Sequence, residues 1–539
     1  MTIYLLSFLL SFCSISYQFV IARVLMQFSN DEILSQSITL GFYLVAMGLG
    51  SQAVGLLKKK NERHALFALE IALALVGLLL VPLLYLSYTF LSVFLYHYLP
   101  FWTGWGQGSE KVFLLQGCTL LVGFLTGMEL PLLIKLHEKK TGENSFNRIL
   151  GINYLGALVG SFAVSLYLIP VLDLARSSVL VAILNFIATV IIAFGAQKAV
   201  WRWGATIGAS VLFFVSASLT LKYTDVVEQA YIKSFYSETR VPEISWNAVK
   251  NFFLYMEDFT DVDRYVTPYQ IIDTIPDKFM KSGEDTGDFS LYLNMQPQFS
   301  RLTQRTYHES MVEGAINLSN THPKEVLVLG AGDGLLVAEL LKHTDIEKII
   351  LVELDPFMIR LAREHKDIKE LNRGSLYDPR VEVIIGDAFN YIRRTKKVFD
   401  GVFVDFPFPV SYELGKLFSV EFYSSLSAVI SPQGFFVADV PIWRGINAAD
   451  KRPRPAPQDI VLSSLRAAGF NNAVVYGPIE AFMFVSKKSE KPVFNYDSLS
   501  PWLSNATLLN LTILTSVTSK AEVSEKNVNS IYRPKRFRW

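Results

Sequence analysis

The chain changes character near Tyr223: long uncharged runs dominate before it, and short apolar stretches broken by charges, glycines and prolines follow it. Apolar runs of roughly 18 residues or more are read as membrane-crossing helices, because about 20 residues at 1.5 Å rise span the hydrocarbon. Seven are expected, near residues 3–27, 33–56, 65–87, 113–135, 151–171, 177–195 and 203–221. No small-residue cleavage site follows the first run and a second run comes directly, so it is read as a span and not as a signal peptide. Small residues in "GLGSQAVG" and "GALVGS" would let neighbouring helices approach closely.

In the second half the period shortens. "PYQIIDTI" and "FSLYLNMQPQFSRLT" read as hairpin strands. From "EVLVLGAG" onward, strands alternate with helices: "LLVAELLKH", "KIILVELD", "PFMIRLAREH", "VEVIIGDA", "AFNYIRR" and "FDGVFVDF". Such alternation builds a parallel sheet with helices on both faces. The expected fold is an N-terminal all-α multi-pass membrane domain followed by an α/β Rossmann-like, methyltransferase-type domain, with a small β-hairpin domain before the sheet. The expected boundaries are 1–222 for the membrane domain and 223–263 for a linker or insertion. The small β domain takes 264–318, the Rossmann-like domain 319–490 and a tail 491–539.

Composition agrees with the division, since 51% of residues are hydrophobic. A net charge of +1 gives no argument for a nucleic-acid partner. Cys13 and Cys118, the two cysteines, lie within apolar runs and support neither a disulfide framework nor a cysteine metal site. Basic clusters ("KKKNER", "KLHEKK", "QKAVWR") and the acidic "SNDE" place the N-terminus in the cytoplasm by the positive-inside rule. Seven spans would then put the second half outside. Glu129, in "GFLTGMELPLL", reads either as a functional intramembrane acid or as a carboxyl near a helix end. The tail "NSIYRPKRFRW" is basic and aromatic, suited to an anionic membrane surface or to solvated disorder.

Ligands of open α/β sheets bind beyond the carboxyl ends of the strands, where strand order reverses. The expected strand ends carry Gly330, Gly332, Asp333 and Gly334, then Glu353 and Asp355, then Asp387, then Asp405. Glu353, about twenty residues past the glycine turn, is placed to accept ribose hydroxyls. Asp387 is placed to accept an adenine amino group. Asp333 in the turn would repel the phosphates of a dinucleotide or ATP. It would also disfavour the carboxylate of S-adenosylmethionine and favour a bare ammonium. The donor that fits is decarboxylated S-adenosylmethionine.

These motifs resemble the spermidine synthase, or polyamine aminopropyltransferase, family. "TPYQ", "YHESM", "GAGDG", "LVELD", "IIGDA" and "FDGVFVDF" each match a family motif, over about Thr267 to Ser486. The first half is similar to that of membrane-fused members. The resemblance implies that Gln270, Glu353, Asp387 and Ala388 hold the thioadenosine part of the donor. It implies that Asp333 grips the aminopropyl ammonium, that Tyr307 and His308 line the amine channel, and that Asp405 accepts the proton. It implies no permanently bound cofactor and no metal, with decarboxylated S-adenosylmethionine as co-substrate and a small amine as acceptor.

The departures bear on that acceptor. Phe408 in "DFPFPVSY" stands where the family carries a second acid, Tyr412 stands where a proline is usual, and a later acceptor stretch is missing. A buried ammonium without a carboxylate is costly. Asp439, ending "GFFVAD", either compensates or is a solvated strand-end acid. Three readings follow: a membrane-bound aminopropyltransferase, a methyltransferase on the same scaffold, or a transporter or sensor that only binds a nucleoside or polyamine. The partners expected are the amine, a lipid membrane and no nucleic acid, with a homo-oligomer left open. The side is contested: charge bias puts the enzyme domain outside, whereas its donor is made in the cytoplasm.

Overall fold

The computed structural model describes residues 2–29, 32–56, 62–98, 109–141, 146–194, 200–240, 262–276, 289–409, 411–442, 455–477, 480–488, 492–495, 497, 499, 503, 521–535 and 537. Most of the expected linker and the "EISWNAVKNFFLYMED" segment lie outside the described residues. The chain divides into two units, Met1–Asp261 and Val262–Trp539.

The long apolar runs become helices: α1 (Thr2–Ser29), α2 (Glu32–Ala53), α3 (Glu62–Tyr98), the short α4 (Ser109–Leu114), α5 (Gly117–Thr141), α6 (Phe146–Ala163), α7 (Ile169–Phe194) and α8 (Val200–Arg240). Among the described residues six helical stretches are long and apolar enough to cross a membrane, where seven runs were expected. The fifth, Phe146–Ala193, is 48 residues long and takes in two of those runs. A π-helical turn, Val164–Leu168, joins α6 to α7. The backbone leaves helical geometry at Asp173, with φ 70 and ψ 177. There the carboxylate accepts the Arg176 N–H at 2.8 Å, capping the helix as it resumes.

Helix α1 is buried along its length through Val20, Ile21, Val24 and Leu25. Glycines set the spacing of its neighbours, as the sequence suggests. A Cβ at Gly156 would stand 2.2 Å from the Phe8 carbonyl oxygen, and one at Gly50 2.0 Å from that of Phe124. The unit exposes large apolar side chains and buries polar ones among its apolar core. Leu158, Phe162, Leu166 and Val171 are exposed, whereas Ser16, Gln18, Glu70 and Asn185 are buried.

The second unit begins with an antiparallel meander: β1 (Asp263–Val266), β2 (Ile271–Pro276), β3 (Phe289–Leu293) and β4 (Gln296–Ser300). Helix α9 (Gln304–Ser319) leads into β5 (Glu325–Gly330), β6 (Lys348–Glu353), β7 (Val381–Ile385), β8 (Phe399–Asp405), β9 (Ile430–Asp439), β10 (Ala473–Tyr476) and β11 (Phe482–Ser486). Their order is β10-β11-β9-β8-β5-β6-β7. The sheet is parallel from β9 through β7 and mixed overall, since β11 runs antiparallel to both β9 and β10.

Strand β5 is central because it is apolar on both faces. Val326 and Val328 pack on one side, Leu327 and Leu329 on the other, all at 0% exposure. Each such residue contributes about 1.5–3 kcal/mol relative to exposure. The chain leaves β5 toward β6 on one side and returns as β8 on the other. That reversal opens the crevice at the strand ends.

Candidate active site

The glycine turn after β5 is shaped by backbone that most residues avoid. Gly330 (φ 82) and Gly334 (φ 79) lie in the left-handed region, where glycine carries no steric cost. Gly332 is needed for a different reason, since a Cβ there would stand 2.7 Å from Glu353 Oε2. Its missing side chain lets the Glu353 carboxylate stand against the turn. The turn is also braced from behind. Asn372 Nδ2 donates to the Asp333 carbonyl oxygen at 2.8 Å, and Ser375 Oγ donates to that of Gly334 at 2.7 Å.

Asp333 accepts the Leu335 N–H at 2.8 Å. Burial pushes its carboxyl above the ordinary range; His308 pulls it back and Asp405 adds to the rise. These three side chains, far apart in sequence, therefore act on one another. Glu353, at the end of β6, accepts the Asp355 N–H at 2.8 Å. Burial pushes it from 4.5 to about 7.

Asp355 is a residue that strand-end reasoning noted without a role. Its Oδ1 caps the helix Pro356–Glu364 by accepting the Phe357 N–H at 2.9 Å. Its Oδ2 accepts Thr267 Oγ1–H at 2.8 Å and Gln270 Nε2–H at 3.1 Å. The buried carboxylate thus latches the "TPYQ" segment to the end of β6, which brings Gln270 to the crevice. The cap alone is worth about 0.5–2 kcal/mol.

Asp387 follows β7 and caps the helix Ala388–Arg394 by accepting the Asn390 N–H at 2.7 Å. Its other oxygen lies 3.6 Å from Lys416 Nζ. Ala388, buried at the first position of that helix, has only backbone to offer a ligand.

On the other side of β5, three side chains converge. The Tyr307 hydroxyl of α9 lies 2.7 Å from Asp405 Oδ1 and 3.2 Å from Asp439 Oδ2. One phenolic proton serves both acids. Asp439 Oδ1 is buried and has no hydrogen-bond partner among the described residues. Burial pushes the Asp439 carboxyl well up, and Glu480 and Asp405 push it further. Asp439 is therefore no solvated strand-end acid. Burial and the two carboxylates raise the Tyr307 phenol well above its usual range, so it stays a donor. Its ring packs edge-on to Phe482 at 5.0 Å and to His308 at 4.9 Å. His308 is buried, with Nδ1–H donating to the Gln304 carbonyl oxygen at 2.8 Å.

The structure thus brings Asp333, His308, Tyr307, Asp405 and Asp439 together, with Glu353 and Gln270 along the same crevice and Asp387 at the next strand end. Sequence reasoning missed Asn372, Ser375 and Glu480, and gave Asp355 no role. The segment after β8 holds one more surprise. Tyr412, in a proline's place, donates to the Ile531 carbonyl oxygen at 3.0 Å. Asn529 Nδ2 donates to the Gly415 carbonyl oxygen at 2.8 Å, and Phe537 packs on Phe418. The described part of the basic tail is docked against the segment that carries Lys416.

The chain is similar in sequence to known proteins. The spermine/spermidine synthase domain model matches residues 304–440. The chain is 31% identical over 438 residues to polyamine aminopropyltransferase 1 of Streptomyces coelicolor, covering 79% of this chain and 73% of that protein. It is 30% identical over 435 residues to the polyamine aminopropyltransferase of Leptospira interrogans, covering 79% and 76%. Both matches are longer than the second unit, so both extend into the helical unit. A crystal structure of spermidine synthase in complex with the transition state analogue AdoDATO is 24% identical, covering 48% of this chain and 88% of that chain, with a TM-score of 0.39.

Proposed function

Because this chain belongs to the polyamine aminopropyltransferase family, we propose that its second unit moves the aminopropyl group of decarboxylated S-adenosylmethionine to a putrescine-like diamine held at Asp405 and Asp439. The acceptor nitrogen attacks the methylene carbon bonded to the sulfonium. The C–N bond forms, the C–S bond breaks, and its electron pair returns to sulfur, giving neutral methylthioadenosine. A protonated amine has no lone pair to attack with, so Asp405 takes its proton. Asp333 holds the aminopropyl ammonium and aligns the reacting carbon. Gln270, Glu353, Asp387 and the Ala388 backbone hold the nucleoside.

The observation that carries this reading is the Tyr307 hydroxyl shared between Asp405 and Asp439, with one Asp439 oxygen buried and unpartnered. An unpartnered buried carboxylate calls for a cation. A diammonium bound there would draw Asp439 to ionise against its burial and Glu480, and the ionised carboxylate would supply the negative charge that Phe408 withholds. Methylthioadenosine release with a panel of amines tests this. Short diamines should turn over, and Asp439→Asn should raise their KM by about 10- to 100-fold, the cost of losing a charged hydrogen bond. An unchanged KM contradicts the role of Asp439. Absence of release with every amine tried would favour a sensor, the reading that Phe408 supports.

Glu353 gives a pH signature. Ribose hydroxyls donate to the ionised carboxylate, and burial has raised this group to about 7. Methylthioadenosine binding should therefore strengthen as pH climbs, by up to about tenfold per unit below 7, and level off above it. Glu353→Gln should flatten the profile, which calorimetry across pH would show. For the ligand-free fold the sign is reversed. A raised acid stabilises fully below its ordinary value of 4.5, and that contribution fades as pH rises through about 7.

For the first unit we propose a multi-pass membrane domain, with the catalytic unit on the cytoplasmic side where its donor is made. Support comes from the exposed large apolar side chains, the polar side chains buried in the core and the six long apolar stretches. A reporter fused after Trp539 tests the side.

A further inference from the structure

Two carboxylates lie inside the helical unit, Glu70 on α3 and Glu129 on α5, at 0% and 4% exposure. Neither side-chain oxygen of Glu70 has a hydrogen bond of ordinary geometry among the described residues, and the one side-chain donor close to the carboxyl is the Asn185 amide. Glu129 lies within electrostatic reach of Glu70, and Tyr17 of α1 within reach of both. The Tyr17 hydroxyl is itself buried and unpartnered. A Cβ at Gly77 would stand 2.5 Å from that hydroxyl, so the glycine makes room for the ring beside α3. From α7, Asn185 Nδ2 donates to the Glu70 carbonyl oxygen at 3.1 Å. Its amide oxygen is left buried without a partner.

Helices α3 and α7 thus bring Glu70 and Asn185 together, with Tyr17 of α1 and Glu129 of α5 within electrostatic reach, and Glu70, Asn185 and Tyr17 each leave a buried atom unsatisfied. A buried carboxylate with no partner is costly to ionise, and a bound cation would offset that cost. The open atoms are chiefly acceptors: both Glu70 oxygens and the Asn185 oxygen, with the Tyr17 hydroxyl able to act either way. Calcium wants six to eight oxygens and magnesium a near-ideal octahedron. Among the described residues no group of three or more His, Cys, Asp or Glu is placed to hold a metal. A primary ammonium brings one charge and three N–H donors, which suits this set.

We infer that Glu70, Glu129, Tyr17 and Asn185 form a second amine site, within the helical unit, that binds the ammonium end of an alkylamine. The site is separate from the catalytic crevice and stands whether or not the catalytic reading holds. The test is equilibrium dialysis of labelled putrescine against the full chain in detergent. Glu70→Gln should lose one equivalent of bound putrescine while methylthioadenosine release is unchanged. Equal putrescine bound by wild type and Glu70→Gln overturns the inference, including the case in which the carboxylates hold protons only. Should Glu70→Gln not fold, Tyr17→Phe carries the test: it removes one oxygen, and a fall in the same equivalent's affinity is expected, unchanged affinity contradicting it. Failure of the catalytic reading would look different, with no methylthioadenosine released by wild type and the Glu70-dependent equivalent still present.

Discussion

Asp405→Asn should lower the turnover number by about 10²- to 10⁴-fold, the range that a positioned general base supplies. The substitution is nearly isosteric, and an amide oxygen can still accept the Tyr307 hydroxyl now 2.7 Å away. Fold and crevice shape are therefore retained while the proton acceptor is lost. Methylthioadenosine should bind the variant as it binds wild type, because the proposed nucleoside-holding residues lie along β6 and β7 and not at β8. Rate by product release and affinity by calorimetry separate the two effects. A loss of less than about tenfold would move the base to Asp439, whose carboxyl shares the same phenolic proton.

The second large effect concerns the donor. Asp333→Asn keeps an oxygen for the Leu335 N–H and removes the negative charge. A hydrogen bond to a charged group is worth about 1.5–3 kcal/mol, so decarboxylated donor should bind roughly 10- to 150-fold more weakly. Methylthioadenosine, which lacks the aminopropyl arm, should be unaffected. Intact S-adenosylmethionine should gain, since the charge that opposes its carboxylate is gone. Equal losses for all three ligands would mean that Asp333 shapes the turn and does not select the donor.

How much of this was legible in the sequence depends on what carried the signal. The strands were readable because β5, β6 and β8 are apolar runs ended by glycine or acid, and strand ends locate the crevice. Glu353, Asp387 and Asp405 follow from that rule. Asp355 was visible in the same "LVELD" stretch, yet its latch on Thr267 and Gln270 spans more than eighty positions, and no local period reveals it. Asn372 and Ser375 sit in the irregular "LNRGS" segment, where Arg373 and Gly374 both have positive φ; only a turn could be read there. The tail's charge suggested a lipid surface, but composition cannot show that Phe537 is buried against Phe418. The helical unit was legible as apolar runs, and the break read between residues 171 and 177 falls at Asp173, where the backbone departs from the helix inside one long apolar stretch.

Most direct of all is a competition between two donors for the wild-type chain. Titrated calorimetrically under one set of conditions, the decarboxylated sulfonium should bind at least about tenfold more tightly than its carboxylated parent, a difference of about 1.4 kcal/mol. Equal affinity, or preference for the parent compound, would contradict the part assigned to the aspartate in the glycine turn.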